Sequence, residues 1–218
     1  MIASLPDFVR ERRPIELALV SGRGHYAAVI EPVLAASHTV WIATATLKEL
    51  MVEDPRARPG RRRRHGQRGK SYRSILEVFA EQVRRGVEVR VLHAAAASQP
   101  FRAEFARHPE LRRGAPAARG RFEMRQCPRV HLKAVVIDGA RVYLGSANWT
   151  GAGLGAKGEE RRNFELGIVS EDDLLLDEVQ ALFEAIWSGS RCPPCRLRDK
   201  CPAPLDGPRP RSPARNAP

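Results

Sequence analysis

HLKAVVIDGARVYLGSAN, residues 131–148, holds two apolar runs separated by Asp138-Gly139. Val130 to Ile137 is apolar and β-branched, which predicts a strand; residues two apart on a strand share a face, so His131 and Lys133 point the same way. Asp-Gly is a two-residue hairpin signal, so Arg141 to Leu144 is the expected return strand, ending at Gly145 with Ser146 and Asn148 in the following turn. One hairpin thus presents an imidazole, an ammonium, a hydroxyl and an amide. Together such groups can attack phosphorus and hold phosphate oxygens, as required by a reaction run mainly on positioning and charge stabilisation.

The pattern HxKxxxxDxxxxxxGSxN is met at every fixed position by His131, Lys133, Asp138, Gly145, Ser146 and Asn148, and on these residues the chain resembles the phospholipase D superfamily. The resemblance implies that His131 is a nucleophile forming a covalent phosphohistidine, with Lys133, Ser146 and Asn148 holding the phosphate. Asp138 joins this catalytic set, a turn and scaffold role being the competing reading. The family also has an acidic residue on the next strand that receives the Nδ1 proton of the histidine. Within Arg162 to Val169 the match is Glu165, which would fix the tautomer and leave Nε2 free to attack. No catalytic metal is implied.

In-line displacement sets nucleophile and leaving group on opposite sides of phosphorus, so one imidazole cannot readily both attack and protonate the departing oxygen. His25, His38, His65, His93 and His108 all lack a lysine two residues later, so the motif occurs once. Single-motif members of the family resemble the bacterial endonuclease type and pair two chains. A twofold homodimer is therefore expected, one His131 as nucleophile and the other as general acid.

Around the hairpin, the 218 residues are enough for a full core without disulfides, and 43% hydrophobic content is ordinary for a globular protein. Tyr26 to Ser37 reads as a helix followed by the strand Thr39 to Ala43; Ser71 to Arg85 repeats the pattern, with Gly86 as stop and Val87 to Leu92 as strand. Ser98 to Arg112 is expected to be helical, Phe122 to Gln126 a short strand, and Glu171 to Trp187 a covering helix whose Leu182, Phe183, Ile186 and Trp187 belong to the core. The expected fold is α/β, a mixed sheet flanked by helices on both faces, an α/β/α sandwich like that of the phospholipase D superfamily. Residues 25–188 form the catalytic domain, with a basic insertion at 54–73, an N-terminal extension at 1–24 and a Pro/Arg-rich tail at 189–218.

The net charge of +12 is concentrated in two stretches. Arg56 to Arg73 holds nine Arg or Lys and no acid, and Gly189 to Pro218 holds seven against two aspartates, leaving the rest of the chain at −2. Such segments suit a nucleic-acid backbone, though anionic lipid headgroups would attract them too. Trp149 is the candidate stacking aromatic for single strands. The first twenty residues include Asp7, Arg10, Glu11, Arg12 and Arg13, and no uninterrupted apolar run reaches signal-peptide length, so a cytoplasmic location is expected, where disulfides seldom persist.

Cys192, Cys195 and Cys201 form a C-x2-C-x5-C cluster, with Cys127 just ahead of the hairpin. Three close thiolates plus a fourth ligand can hold a tetrahedral zinc or a four-iron cluster in a structural role; an unliganded reduced tail is the alternative. The tail is similar to the three-cysteine ends of iron–sulfur nucleases of the RecB-like superfamily, whose catalytic residues are absent. Catalysis itself is expected to need no cofactor. These features point to a phosphodiesterase, foremost a nuclease acting on DNA or RNA. A phospholipase D or phosphatidyltransferase acting on lipid is the first competitor, and a non-catalytic nucleic-acid-binding module the second.

Overall fold

In the computed structural model, which describes residues 9–53, 71–112, 115, 118–201 and 203–207, nine strands and four α-helices are assigned among the described residues. The strands are β1 (Ala18–Ser21), β2 (Thr39–Thr44), β3 (Met51–Glu53), β4 (Tyr72–Ser74), β5 (Glu88–His93), β6 (Arg121–Gln126), β7 (Ala134–Ile137), β8 (Arg141–Gly145) and β9 (Leu166–Ser170). The α-helices are α1 (Glu31–Ala35), α2 (Ile75–Arg85), α3 (Gln99–Phe105) and α4 (Asp173–Trp187). Seven strands form one sheet in the order β1-β9-β8-β7-β2-β5-β6, and β3 pairs with β4 alone. β2, β5 and β6 run parallel, and the remaining pairs of the large sheet are antiparallel.

Alternation along the strands explains the two layers. In β7, Val135 and Ile137 pack with α2, Phe79 and Phe101, whereas Ala134 and Val136 pack with Leu176, Val179, Phe183 and Trp187 of α4. Both faces are covered, so the strand reads as an unbroken apolar run. The connections β2-α2-β5 and β5-α3-β6 place both helices on one face, as crossovers of one hand require. α2 begins where the Ser74 hydroxyl accepts from Leu76 N–H at 3.0 Å and ends at Gly86, whose φ of 112° suits glycine.

Several boundaries differ from expectation. Tyr26 to Ser37 splits into a π-turn, Tyr26–Ile30, followed by α1, and α2 starts only at Ile75, Tyr72 to Ser74 forming strand β4 with Ser74 as the helix cap. Helix α3 stops at Phe105, with a separate turn at Pro109–Leu111. Val130 to Lys133 lie outside the regular strand, although the Gly145 N–H still bonds Lys133 O at 3.2 Å. Leu182 is 38% exposed, so it is not a core residue. Residues 18–21, expected in an N-terminal extension, form the sheet edge against β9, and Arg13 bonds the Asp172 cap of α4 at 2.8 Å. The domain thus starts before residue 25. Most of the basic insertion, residues 54–70, lies outside the described residues. Among the described residues no helix is long and apolar enough to cross a membrane.

Candidate active site

The site forms where β2 and β5 end and β7 begins, because Ala134 pairs with Ala43 and Thr44 with His93. Carboxyl ends of parallel strands are where α/β sheets leave a crevice. Here Lys133 is almost buried, and His131 is exposed. Lys133 Nζ lies 2.9 Å from His131 Nδ1 and 3.2 Å from Nε2, and donates to His131 O at 2.8 Å. The two side chains therefore share one side as the spacing requires, and the ammonium meets the ring directly. Burial lowers the Lys133 pKa below its ordinary value, while the charge of Glu165 works in the other direction.

Asn148 is fixed from behind. Its Oδ1 accepts from the N–H groups of Ala45 at 3.1 Å and Thr46 at 3.0 Å, in the loop after β2. Two backbone donors set the amide's orientation and leave the Nδ2 hydrogens free to donate outward. The Thr44 hydroxyl accepts from Trp149 N–H at 2.9 Å and donates to Thr46 O at 2.9 Å, locking the same turn. Ser146 is held by Leu166 N–H, which donates to its Oγ at 3.1 Å, and its hydroxyl donates to Glu165. The other Glu165 oxygen accepts from Asn163 Nδ2 at 3.0 Å. Glu165 thus engages Ser146 and Asn163, and no hydrogen bond joins it to His131 in this arrangement.

Gly145 owes its identity to the Tyr143 ring. A Cβ there would lie 2.3 Å from Tyr143 Oη and 2.8 Å from Gly167 Cα; one at Gly167 would lie 2.3 Å from Tyr143 Cε2. Burial pushes the Tyr143 phenol up to about 12. Fully buried His25 stands edge-on to this ring at 5.6 Å, its pKa lowered by burial.

Asp138 is at the other end of the hairpin, and its placement corrects the catalytic assignment. At a rise of about 3.3 Å per residue, five residues along β7 put it roughly 17 Å from Lys133. Its carboxylate accepts from backbone N–H groups of Ser37 at 3.0 Å, His38 at 2.7 Å and Thr39 at 2.8 Å, and from the Ser37 hydroxyl at 3.2 Å. Burial pushes its pKa up, but these bonds outweigh it and hold the carboxyl below its ordinary value. With φ of 52° at Asp138 and 65° at Gly139, the turn is the left-handed kind that a tight hairpin uses.

Trp149 is likewise corrected: 2% exposed and stacked on Phe79 at 6.2 Å, it supports the hairpin from inside and cannot meet a base. The aromatic that does face outward is Phe164, fully exposed beside Glu165 and lining a cavity of about 480 Å³ with Ser21, Gly22 and Ser146. Sequence reasoning missed it because a lone Phe before a strand reads as core. Among the other histidines, His38 lies at the Asp138 end, His108 pairs with Glu104 at 3.1 Å, and His65 lies outside the described residues. His93 ends β5, two strands from Lys133 or roughly 10 Å away. It is buried and shares a 2.8 Å hydrogen bond with Ala95 O, and burial lowers its pKa, so less of it carries the proton that a general acid must donate.

Cys127, Cys192, Cys195 and Cys201 are all free and partly exposed, and all four border one cavity on the α4 face. Among the described residues no three His, Cys, Asp or Glu side chains gather round one point as ligands of a single ion.

Fold and motif together define a phospholipase D-like domain. The chain matches the family model described as "Cardiolipin synthase, PLD-like domain" over residues 30–187, and it belongs to the phospholipase D superfamily. Its structure is similar to that of NucT from Helicobacter pylori, at 14% identity and a TM-score of 0.50 over 78% of this chain and 94% of that one. A phospholipase D family member, Nuc from Salmonella typhimurium, is similar at 14% identity and a TM-score of 0.50 over 79% of this chain and 95% of that one. At such identity these likenesses speak for the fold. No curated protein sequence matches the chain.

Proposed function

We propose that this phosphodiesterase is a nuclease that cleaves DNA or RNA without a catalytic metal, through a covalent phosphohistidine in a site completed by two copies of the chain. The observation that carries the reading is the contact between the exposed His131 imidazole and the almost buried Lys133 ammonium at the carboxyl end of the parallel strands, on the hairpin that also carries Asn148. His131 Nε2 attacks phosphorus as the bond to the leaving oxygen breaks, and that oxygen takes a proton from His131 of a second copy. The same imidazole then deprotonates water, which attacks phosphorus, breaks the P–N bond and frees His131. Lys133, Ser146 and Asn148 hold the non-bridging oxygens, and Glu165 swings from Ser146 to accept from Nδ1 when phosphate takes the hydroxyl. Among the described histidines apart from His131, none offers an exposed imidazole at this crevice, which supports the homodimer. The basic stretches at 56–73 and 189–218 would follow the phosphate backbone.

The test is cleavage of labelled single-stranded DNA, duplex DNA and RNA in EDTA by wild type and His131→Ala. Since His131 is exposed, the variant should fold normally yet lose at least about 10²-fold in rate, because both nucleophile and acid are gone. A wild type that binds nucleic acid and cuts none of it would favour a binding module; one that neither binds nor cuts would make lipid phosphodiester hydrolysis the next assay. An active monomer by gel filtration would refute the shared site.

A further inference from the structure

Four cysteines from two separate parts of the chain come to one cavity of about 530 Å³. Cys127 follows β6, its N–H bonded to His93 O at 2.9 Å, and it lies four residues before His131. Cys192, Cys195 and Cys201 come from the tail, which turns back under α4. Arg125 draws it in, donating to Trp187 O and, at 2.6 Å, to Leu205 O.

Donors are already in place for the sulfurs. Leu205 N–H donates to Cys192 Sγ at 3.3 Å, Leu197 N–H and the Arg129 side chain donate to Cys195, and Arg129 N–H donates to Cys127. Two of these run from residue i+2 back to the cysteine at i, the short turn that fixes where the sulfur sits. Arg129, Arg191 and Arg198 border the same cavity, supplying positive charge to offset a thiolate centre.

The described tail has one 3-10 turn, Arg198–Lys200, and one buried hydrophobic side chain, Leu205, so little apolar burial of its own ties it to the body.

We propose that Cys127, Cys192, Cys195 and Cys201 ligate a four-iron iron–sulfur cluster that fastens the tail to the strand leading into the catalytic hairpin. A single zinc needs four sulfurs about 2.3 Å from one point, and no such grouping exists among the described residues. A cubane binds each thiolate to a different iron, so its sulfurs ring a roomier space than a single ion does, and here all four cysteines border one cavity of about 530 Å³. Assembly consumes two ferrous and two ferric ions with four sulfides and releases the four thiol protons, so no further oxidant is needed. This inference is independent of the nuclease reading, since no reacting group belongs to the ligand set.

The experiment is purification of the full chain without oxygen, followed by iron and acid-labile sulfide analysis and visible absorption before and after dithionite. The expected result is a brown protein with about four iron and four sulfide per chain that bleaches on reduction. Cys195→Ser and Cys201→Ser should each lose most of the iron, with far-UV circular dichroism confirming that the sheet remains. Limited proteolysis should cut the tail at Arg196 to Lys200 only after cluster loss. One zinc per chain without sulfide, or wild type that stays metal-free after anaerobic reconstitution with iron and sulfide, would overturn the proposal.

Discussion

Replacing Asp138 separates scaffold from chemistry within the motif itself. Its carboxylate satisfies three successive backbone N–H groups, of Ser37, His38 and Thr39, plus one hydroxyl. A hydrogen bond to a charged acceptor contributes about 1.5–3 kcal/mol when desolvated, but this site is half open and water replaces part of each bond. A total of about 2–3 kcal/mol is therefore reasonable for the cluster. Asp138→Ala also places an ordinary side chain at φ 52°, which costs a further 1 kcal/mol or so. Together the loss is about 3–4 kcal/mol, or roughly 10 °C in Tm for a chain of this size. Asp138→Asn keeps an acceptor and tolerates the turn, so it should lose about half as much. The pH dependence follows from the sign of the shift. A carboxyl held below its ordinary value of 3.8 stabilises the fold above that pH and ceases to do so as pH falls through its folded pKa. The difference between wild type and Asp138→Asn should accordingly shrink below pH 4. Urea unfolding at pH 7 and pH 3.5 measures this, and kcat for cleavage, taken well below Tm, should stay within a few-fold of wild type. A hundredfold fall in kcat with unchanged Tm would refute the scaffold assignment.

Three further outcomes follow from the same geometry. Gly145→Ala should destabilise the fold by about 1–3 kcal/mol, since its Cβ meets Tyr143 and the Gly167 backbone below contact distance; a denaturation midpoint equal to wild type would contradict the packing described. Asn148→Asp retains an acceptor for Ala45 and Thr46 but turns a carboxylate oxygen toward the phosphate, so kcat should fall about 10²–10³-fold with Tm nearly unchanged. Lys133 must be protonated to hold phosphate and burial lowers its pKa, so the alkaline limb of kcat/KM should fall off below pH 10.5 and vanish in Lys133→Met, whose residual activity should be flat there.

Much of the site was legible in the sequence because its groups sit on one hairpin. Strand period, Asp-Gly turn and fixed offsets place His131, Lys133, Ser146 and Asn148 at the two open ends of one hairpin, so local pairing brings them close. The same locality misled at Asp138, where adjacency in the motif hides a distance of most of a strand, and at Trp149, whose side chain turns under the hairpin toward Phe79. Edge strand β1 escaped notice because four residues, only Val20 of them buried, carry too weak an alternation to declare themselves. Tyr72 to Ser74 continued the helical stripe of α2 in sequence, yet pairing with Met51 to Glu53 draws them into a strand.

What the chain determined alone was the set of periodic apolar runs, and hence a two-sided mixed sheet, together with the spacing of the phosphate-handling groups. Only tertiary packing decided the rest. It set the partners of each polar atom, turning the Asn148 carbonyl into the loop after β2, assigning Asp138 to the residues around His38, and bringing Cys127 to a cavity shared with a tail more than sixty residues away in sequence. The physical reason is that burial and periodicity act over neighbouring residues, whereas a polar group's role depends on which donor the folded chain carries to it from a distance.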